Sequence, residues 1–192
     1  MNAESKGMGL KIAIVGHTGH GRLTLINRLL RKSAALSEEC AVDTARIMSK
    51  ERDFYKVVDI PGHHGFARNT TSHAQVAILV VSCIDGIQEQ TRQHVRLVSM
   101  LGIKEIIVAI NKLDMVDYDE WIFRRTKVEV AGLLAALGYT GNRFVPISAM
   151  QGDNIYKPSE RTYWYHGPTL IEALDAVQPD EFAERVREPS TH

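Results

Sequence analysis

The sequence predicts an α/β protein with a doubly wound, mostly parallel six-stranded sheet and helices on both faces. Short β-branched apolar runs alternate along the chain with longer stretches of helical period. Several runs are apolar at every residue, as expected for strands that are covered on both faces. The 192 residues, 44% of them hydrophobic, are enough to form a domain with a substantial core.

The predicted elements follow one another in a regular order. Strands are predicted over 10–16, 44–50, 53–59, 76–82, 105–111 and 144–148. The second and third strands are close enough in sequence to form a hairpin. Helices are predicted over 22–32, 90–101, 119–137 and 169–177. We therefore expect a flexible N-terminus over 1–9, one folded domain over 10–177 and a loosely held polar tail over 178–192.

Composition and charge exclude several classes of partner. Lys plus Arg and Asp plus Glu each number 23, so the formal net charge is +0 and no general field attracts nucleic acid. The two cysteines, Cys40 and Cys83, lack CxxC spacing, and we expect Cys83 to be a buried, inert thiol. No apolar run approaches the roughly 18 residues of a membrane span. We expect a soluble, cytoplasmic protein without a membrane partner.

Four short motifs follow predicted strands, where ligands bind in open α/β sheets. They are GHTGHGRLT at 16–24, DIPGHHGF at 59–66, NKLD at 111–114 and SAM at 148–150. The first has the glycine spacing of a phosphate-binding loop, but Arg22 replaces its lysine and Leu23 its hydroxyl residue. Each motif alone is weak, since a glycine-rich turn can simply begin a helix beside an empty pocket. Their order and placement together predict a nucleotide site.

This series resembles the GTP-binding domain of the translation-factor GTPases. The group includes elongation factor Tu, its archaeal and eukaryotic counterparts, and the GTPase subunit of sulfate adenylyltransferase. GHTGHGRLT is similar to the group's GHVDHGKST, and DIPGHHGF to DxPGHxDF. The resemblance extends over about 10–177 and implies a P-loop NTPase-like G domain that binds GTP or GDP. The β-barrels that follow this domain in the family are expected to be absent.

The resemblance also assigns the phosphate end. It implies that His63 is the catalytic residue that positions water, and that Asp59 holds Mg²⁺ through water if the ion is bound. The direct side-chain ligands of Mg²⁺ are replaced by Leu23 and Ala41, and switch I is shortened. The implied phosphate-binding residues are Gly16, His17, Gly19, His20, Gly21, Arg22, Leu23, Thr24, Asp59 and Gly62.

The guanine end can be argued from chemistry. Guanine presents two donors, N1–H and an exocyclic amine, and the carboxylate of Asp114 can accept from both. The methylene stem of Lys112 would cover one face of the base. Alternatively, Asn111 and Asp114 merely cap the following helix. The full expected set is Asn111, Lys112, Asp114, Ser148, Ala149 and Met150.

Two functions of different classes follow from these motifs. The first is a guanine-nucleotide-binding protein that hydrolyses GTP slowly. The second is a degenerate G domain, a pseudo-GTPase that acts as a protein-interaction module. In both cases we expect a protein partner and no tRNA binding by this chain alone. Trp164 and Tyr165 are expected to anchor the 151–168 loop to the domain.

Overall fold

The computed structural model of the protein describes residues 10–34, 45–47, 55–59 and 74–178. The strands are β1 Leu10–Gly16, β2 Ala45–Ile47, β3 Tyr55–Asp59, β4 Val76–Ser82, β5 Glu105–Asn111 and β6 Arg143–Pro146. The α-helices are α1 Arg22–Ala34, α2 Glu89–Met100, α3 Glu120–Ala135 and α4 Leu170–Asp175. Two short 3-10 turns cover Leu113–Val116 and Glu160–Thr162.

The sheet has the order β2-β3-β1-β4-β5-β6. β2 pairs antiparallel with β3, as the predicted hairpin requires, and every other pairing is parallel. The doubly wound, mostly parallel sheet is thereby confirmed. β1, β4 and β5 have the predicted bounds because their apolar runs are continuous. β6 ends at Pro146, earlier than predicted, since Ser148 leaves the ladder and pairs with Asp153 in an isolated antiparallel bridge.

The two faces of the sheet bury separate hydrophobic clusters. Ile12 and Ile14 of β1 belong to one cluster, to which α1 and α4 also contribute. Ala13 and Val15 face the other side, where α2 and α3 pack. Side chains alternate between the faces of a strand, so a strand covered on both faces must be apolar throughout. Helices on both faces are thus confirmed.

Hydrogen bonds of the aromatic side chains anchor the long loop before α4. The indole Nε1–H of Trp164 donates to the main-chain oxygen of Tyr118 at 2.9 Å. The Tyr165 hydroxyl contacts the main-chain oxygens of Phe144 at 3.1 Å and Pro168 at 2.9 Å. The expected anchoring of this loop is therefore confirmed. In the described part of the chain, no helix has the length and apolar character needed to cross a membrane.

Candidate nucleotide-binding site

The carboxyl ends of the parallel strands bring the sequence motifs to one edge of the sheet. Ser82 lies beside Asn111 in the β4–β5 register, and Ile110 lies beside Pro146 in the β5–β6 register. The backbone of Asp59 pairs with Ile14, near the end of β1. The expected site residues Ala41, Gly62 and His63 lie outside the described residues.

The loop between β1 and α1 depends on glycine at two close approaches. Gly16 has φ +148°, and a Cβ there would overlap the carbonyl oxygen of Val80. Gly21 has φ +92°, and a Cβ there would overlap the side-chain amide of Asn111. Both angles lie in the region that L side chains rarely adopt. The glycine spacing of the motif therefore reflects packing against β4 and β5 as well as loop conformation.

Helix α2 holds this loop through two side chains one helical turn apart. The main-chain N–H of Gly16 donates to Nδ1 of His94 at 3.2 Å, in a buried position. The N–H of Thr18 donates to Oε1 of Gln90 at 2.7 Å. Burial, and next the positive charge of Arg22, lowers the pKa of His94 to about 4. His94 is therefore neutral at physiological pH, as an acceptor nitrogen must be.

His20 occupies the interior of the loop rather than its surface. Its side chain is 1% exposed, and its ring lies 4.9 Å from the ring of His17 in an edge-on arrangement. Neither ring nitrogen has a hydrogen-bond partner among the described residues, although Nε2 lies 4.0 Å from a carboxylate oxygen of Asp85. Burial, then the neighbouring His17, lowers the pKa of His20 to about 4. The neutral ring serves as packing beneath the loop.

The first turn of α1 presents backbone donors but not the usual metal ligand. The N–H groups of Arg22, Leu23 and Thr24 stand where no preceding helical carbonyl can accept from them, and the helix dipole favours an anion there. The Leu23 side chain is 64% exposed and carries no oxygen, so it cannot ligate Mg²⁺ directly. Thr24 instead lines a neighbouring cleft with Asn27 and Arg28.

Asn111 joins three of the predicted segments. Its side-chain Nδ2 donates to the main-chain oxygen of His20 at 2.8 Å, in the phosphate loop. Its Oδ1 accepts from the main-chain N–H of Ala149 at 2.9 Å, in the SAM segment. The side chain is 3% exposed. Asn111 therefore does more than cap a helix, because one amide fixes the distance between the loop and the SAM segment.

Lys112 and Asp114 follow in a tight turn. Lys112 has φ +68°, and its Nζ lies 3.2 Å from Oδ2 of Asp85. A hydrogen bond from Ser82 and then one from Lys112 lower the pKa of the Asp85 carboxyl. Asp114 is half-buried in the 3-10 turn, and no described residue donates a hydrogen bond to its carboxylate. Cys83, beside this turn, is 1% exposed, which confirms that the thiol is buried, and burial raises its pKa to about 11, so the thiolate is disfavoured.

The turn over 148–153 is held from inside and from α1. The Ser148 hydroxyl accepts from the N–H of Gln151 at 3.0 Å, and the Ser148 carbonyl accepts from Gly152 at 2.7 Å. Arg28 donates through Nε to the carbonyl oxygen of Ala149 at 3.1 Å and through a terminal nitrogen to that of Met150. A cleft of about 640 Å³ beside Arg28 shares Ala149 and Met150 with the predicted guanine site.

Sequence reasoning missed four of these side chains. Gln90 and His94 have a usable signal, since their i, i+4 spacing places them on one face of a helix that follows a strand end. Arg28 and Asp85 have none. Arg28 binds main-chain carbonyls, which every residue possesses, and Asp85 resembles any polar residue in a turn.

The comparisons with known proteins agree with this geometry. A family model described as the elongation factor Tu GTP binding domain matches residues 40–180. Elongation factor 1-alpha of Methanopyrus kandleri is 38% identical, over 90% of this chain and 48% of the relative. That of Methanothermobacter thermautotrophicus is 39% identical, over 90% and 49%. The chain thus spans about half the length of the curated relatives that it matches.

Solved structures give the same result. A structure of Sup35 complexed with GMPPNP has a TM-score of 0.72 at 26% identity, covering 92% of this chain and 47% of that one. A structure of Sup35 complexed with GDP has a TM-score of 0.69 at 24% identity, covering 88% and 44%, and shows the fold alone. Fold and site together define a GTPase-type nucleotide-binding domain. The chain belongs to the elongation factor Tu GTP binding domain family.

Proposed function

We propose that this chain binds GTP and GDP across the carboxyl edge of its sheet. The observation that carries this proposal is the position of Asn111, which bonds the phosphate loop at His20 and the SAM segment at Ala149 with one buried amide. The two ends of a nucleotide site are thereby held at a fixed separation. A ligand with a base at one end and phosphates at the other matches such a site.

Base recognition is assigned to Asp114 and the SAM turn. The half-buried Asp114 carboxylate receives no hydrogen bond from described residues, so both of its oxygens can accept from guanine N1–H and the exocyclic amine. The N–H of Ala149 is already used by Asn111. We therefore assign the contact with the base oxygen to the N–H of Met150, which has no partner among the described residues. Lys112, fixed by Asp85, would cover one face of the base.

Phosphate binding is assigned to the loop and to the first turn of α1. The backbone N–H groups of that turn, the helix dipole and the charge of Arg22 support binding of an anion. Arg22 is less suited than lysine to reach between two phosphates, because its guanidinium is wide and planar. We propose slow GTP hydrolysis with little magnesium dependence. His63, assigned by resemblance to the family, would orient the attacking water.

A second candidate function has one observation in its favour. Leu23 exposes an apolar side chain where a hydroxyl would ligate Mg²⁺. A G domain changed in this way retains nucleotide binding and acts through contacts with a protein, without turnover. The formal net charge of +0 supports a protein partner over tRNA in either case. Retention of labelled tRNA by the isolated chain at physiological salt would contradict that assignment.

Asp114→Asn tests the proposed guanine site. The new amide sets a donor against the donors of guanine, so GDP affinity should fall by at least about tenfold. Affinity for xanthosine diphosphate should rise relative to GDP, because xanthine carries a carbonyl in place of the amine. Titration calorimetry of both nucleotides gives the two dissociation constants.

Asp117→Asn is the matched control. Asp117 is exposed at the end of the same 3-10 turn and has φ +48°, which asparagine tolerates. The control should bind GDP as the unmodified chain does. Equal GDP affinity in Asp114→Asn and Asp117→Asn would remove Asp114 from the site.

A further inference from the structure

A polar cluster lies behind the two segments that carry the base-recognition residues. It consists of Tyr118, Asp153, Ser159 and Arg161, and we call it the Tyr118 cluster. Tyr118 follows the 3-10 turn of Asp114, while Asp153 closes the turn that contains Met150. The cluster therefore touches both segments of the proposed guanine site from outside that site.

The backbone leading into the cluster is held in an unfavourable conformation. Asp117 has φ +48° and Tyr118 has φ +57°, two consecutive non-glycine residues in the left-handed region. A non-glycine residue keeps this backbone conformation only where contacts with its surroundings hold it there. Here the N–H of Tyr118 donates to the carbonyl oxygen of Leu113 at 2.9 Å, and its own carbonyl accepts from Trp164 at 2.9 Å.

The side chains of the cluster satisfy one another. The Tyr118 hydroxyl donates to Oδ2 of Asp153 at 2.5 Å and accepts from a terminal nitrogen of Arg161 at 2.9 Å. The same nitrogen lies 3.3 Å from that carboxylate oxygen. Ser159 donates to the other carboxylate oxygen, Oδ1, at 2.7 Å. Burial, then the bond to Asp153, raises the pKa of Tyr118, which keeps its proton available for donation.

Asp153 transmits this contact to the SAM turn through the backbone. It pairs with Ser148 in an isolated antiparallel bridge, and the residues between them form a turn closed by Ser148. On the other side, the N–H of Leu113 donates to the carbonyl oxygen of Ile147 at 3.4 Å. The Tyr118 hydroxyl is thus a side-chain bridge between the Asp114 turn and the SAM turn, separate from the bridge made by Asn111.

We propose that the Tyr118 cluster is a positioning element that sets the spacing between the Asp114 carboxylate and the SAM turn, and thereby governs discrimination for the exocyclic amine of guanine. This inference rests on the proposed guanine-nucleotide function. Its members act through Asp114 and the turn and do not contact the ligand. A cluster that only anchored the loop before α4 would not distinguish between purine bases.

Tyr118→Phe tests this inference, since it removes the hydroxyl and keeps the ring and the main-chain bond to Trp164. Tyr139→Phe is the matched control, because the hydroxyl of half-buried Tyr139 donates to the Ile103 carbonyl at 2.6 Å, outside the proposed site. Dissociation constants are measured for GDP and for inosine diphosphate, which lacks the exocyclic amine. Arg161→Gln, at an exposed member of the cluster, is measured in parallel in case Tyr118→Phe fails to fold.

We expect Tyr118→Phe to weaken GDP roughly two- to tenfold and inosine diphosphate less, so that the preference for GDP falls. Arg161→Gln should change the preference in the same direction, and Tyr139→Phe should leave it as in the unmodified chain. Equal losses for both nucleotides, or an unchanged preference in a folded cluster variant, would overturn the inference alone. If the unmodified chain binds no GDP, the proposed function falls and this inference falls with it.

Discussion

The side-chain amide of Asn111 donates to the main-chain oxygen of His20 across 2.8 Å, so a strand-end residue of β5 directly holds the loop that follows β1. β4 lies between these two strands in the sheet. The contact therefore passes over the end of β4, where Gly21 leaves room for the amide. The loop and the SAM segment depend on the same side chain.

Asn111→Ala should destabilise the fold as well as the site. The change leaves the His20 carbonyl and the Ala149 N–H without their partner, and an unsatisfied buried group costs about 1–3 kcal/mol. We expect the free energy of unfolding in urea to fall by about 2–4 kcal/mol. Asn27→Ala, at an exposed position of α1, should change it by no more than about 0.5 kcal/mol. A decrease in the free energy of unfolding of Asn111→Ala no larger than about 0.5 kcal/mol would show that the Asn111 bonds add no stability.

The buried histidines should make the fold acid-sensitive. His20 and His94 have pKa values of about 4 in the folded chain against 6.5 for an ordinary histidine. Arg22 and His17 face His94, whereas His17, Asp85 and Lys112 face His20. Between pH 6.5 and 4 the unfolded chain binds more protons than the folded chain. The histidine contribution to the free energy of unfolding is therefore fully present above this window and is lost as the pH drops through it. The slope of the free energy of unfolding against pH is at most about 1.4 kcal/mol per pH unit for each histidine.

His94→Gln checks this pH dependence. Glutamine can accept from the Gly16 N–H but does not titrate, so the slope of unfolding free energy against pH should fall by roughly half. Chemical denaturation at several pH values between 4 and 7 gives the slope. His166→Gln, at an exposed histidine, is the control and should keep the full slope. An unchanged slope in His94→Gln would mean that protonation of this residue is not linked to folding.

Restoring the family residues should restore a response to magnesium. Arg22→Lys, Leu23→Thr and Ala41→Thr together supply a compact cation and two hydroxyl ligands. GDP affinity should then increase several-fold on adding millimolar Mg²⁺, whereas the unmodified chain and Met100→Thr, at an exposed and remote position, should respond little. Fluorescent-nucleotide titration with and without a chelator measures this. Brisk, magnesium-dependent GTP hydrolysis by the unmodified chain that is lost in His63→Ala would contradict the proposed slow turnover.

The sheet could be predicted closely because its physical cause is local in sequence. β1, β4 and β5 are apolar at nearly every residue. This pattern is required only of a strand that helices cover on both faces of the sheet. The early end of β6 was not predictable from apolarity, since Ile147 continues the apolar run although the chain then turns at Ser148.

The sequence suggests candidate site residues where the residue type itself carries the chemistry. Asn111 and the glycines of the phosphate loop belong to this class. The contacts of Arg28 were not predictable, because the main-chain carbonyls that it binds have no sequence signature. The Tyr118 cluster combines residues up to 43 positions apart and exists only once both turns have formed.

The hydrogen bonds of Gln90 and His94 to the loop after β1 also have a consequence for association kinetics. Both main-chain groups that they hold are fixed by the protein itself, so the loop loses its conformational freedom when the chain folds. The loop is then already ordered before a ligand binds. Binding therefore costs little further conformational entropy. Association should therefore be limited by diffusion and orientation. Differences in affinity should appear mainly in the dissociation rate constant.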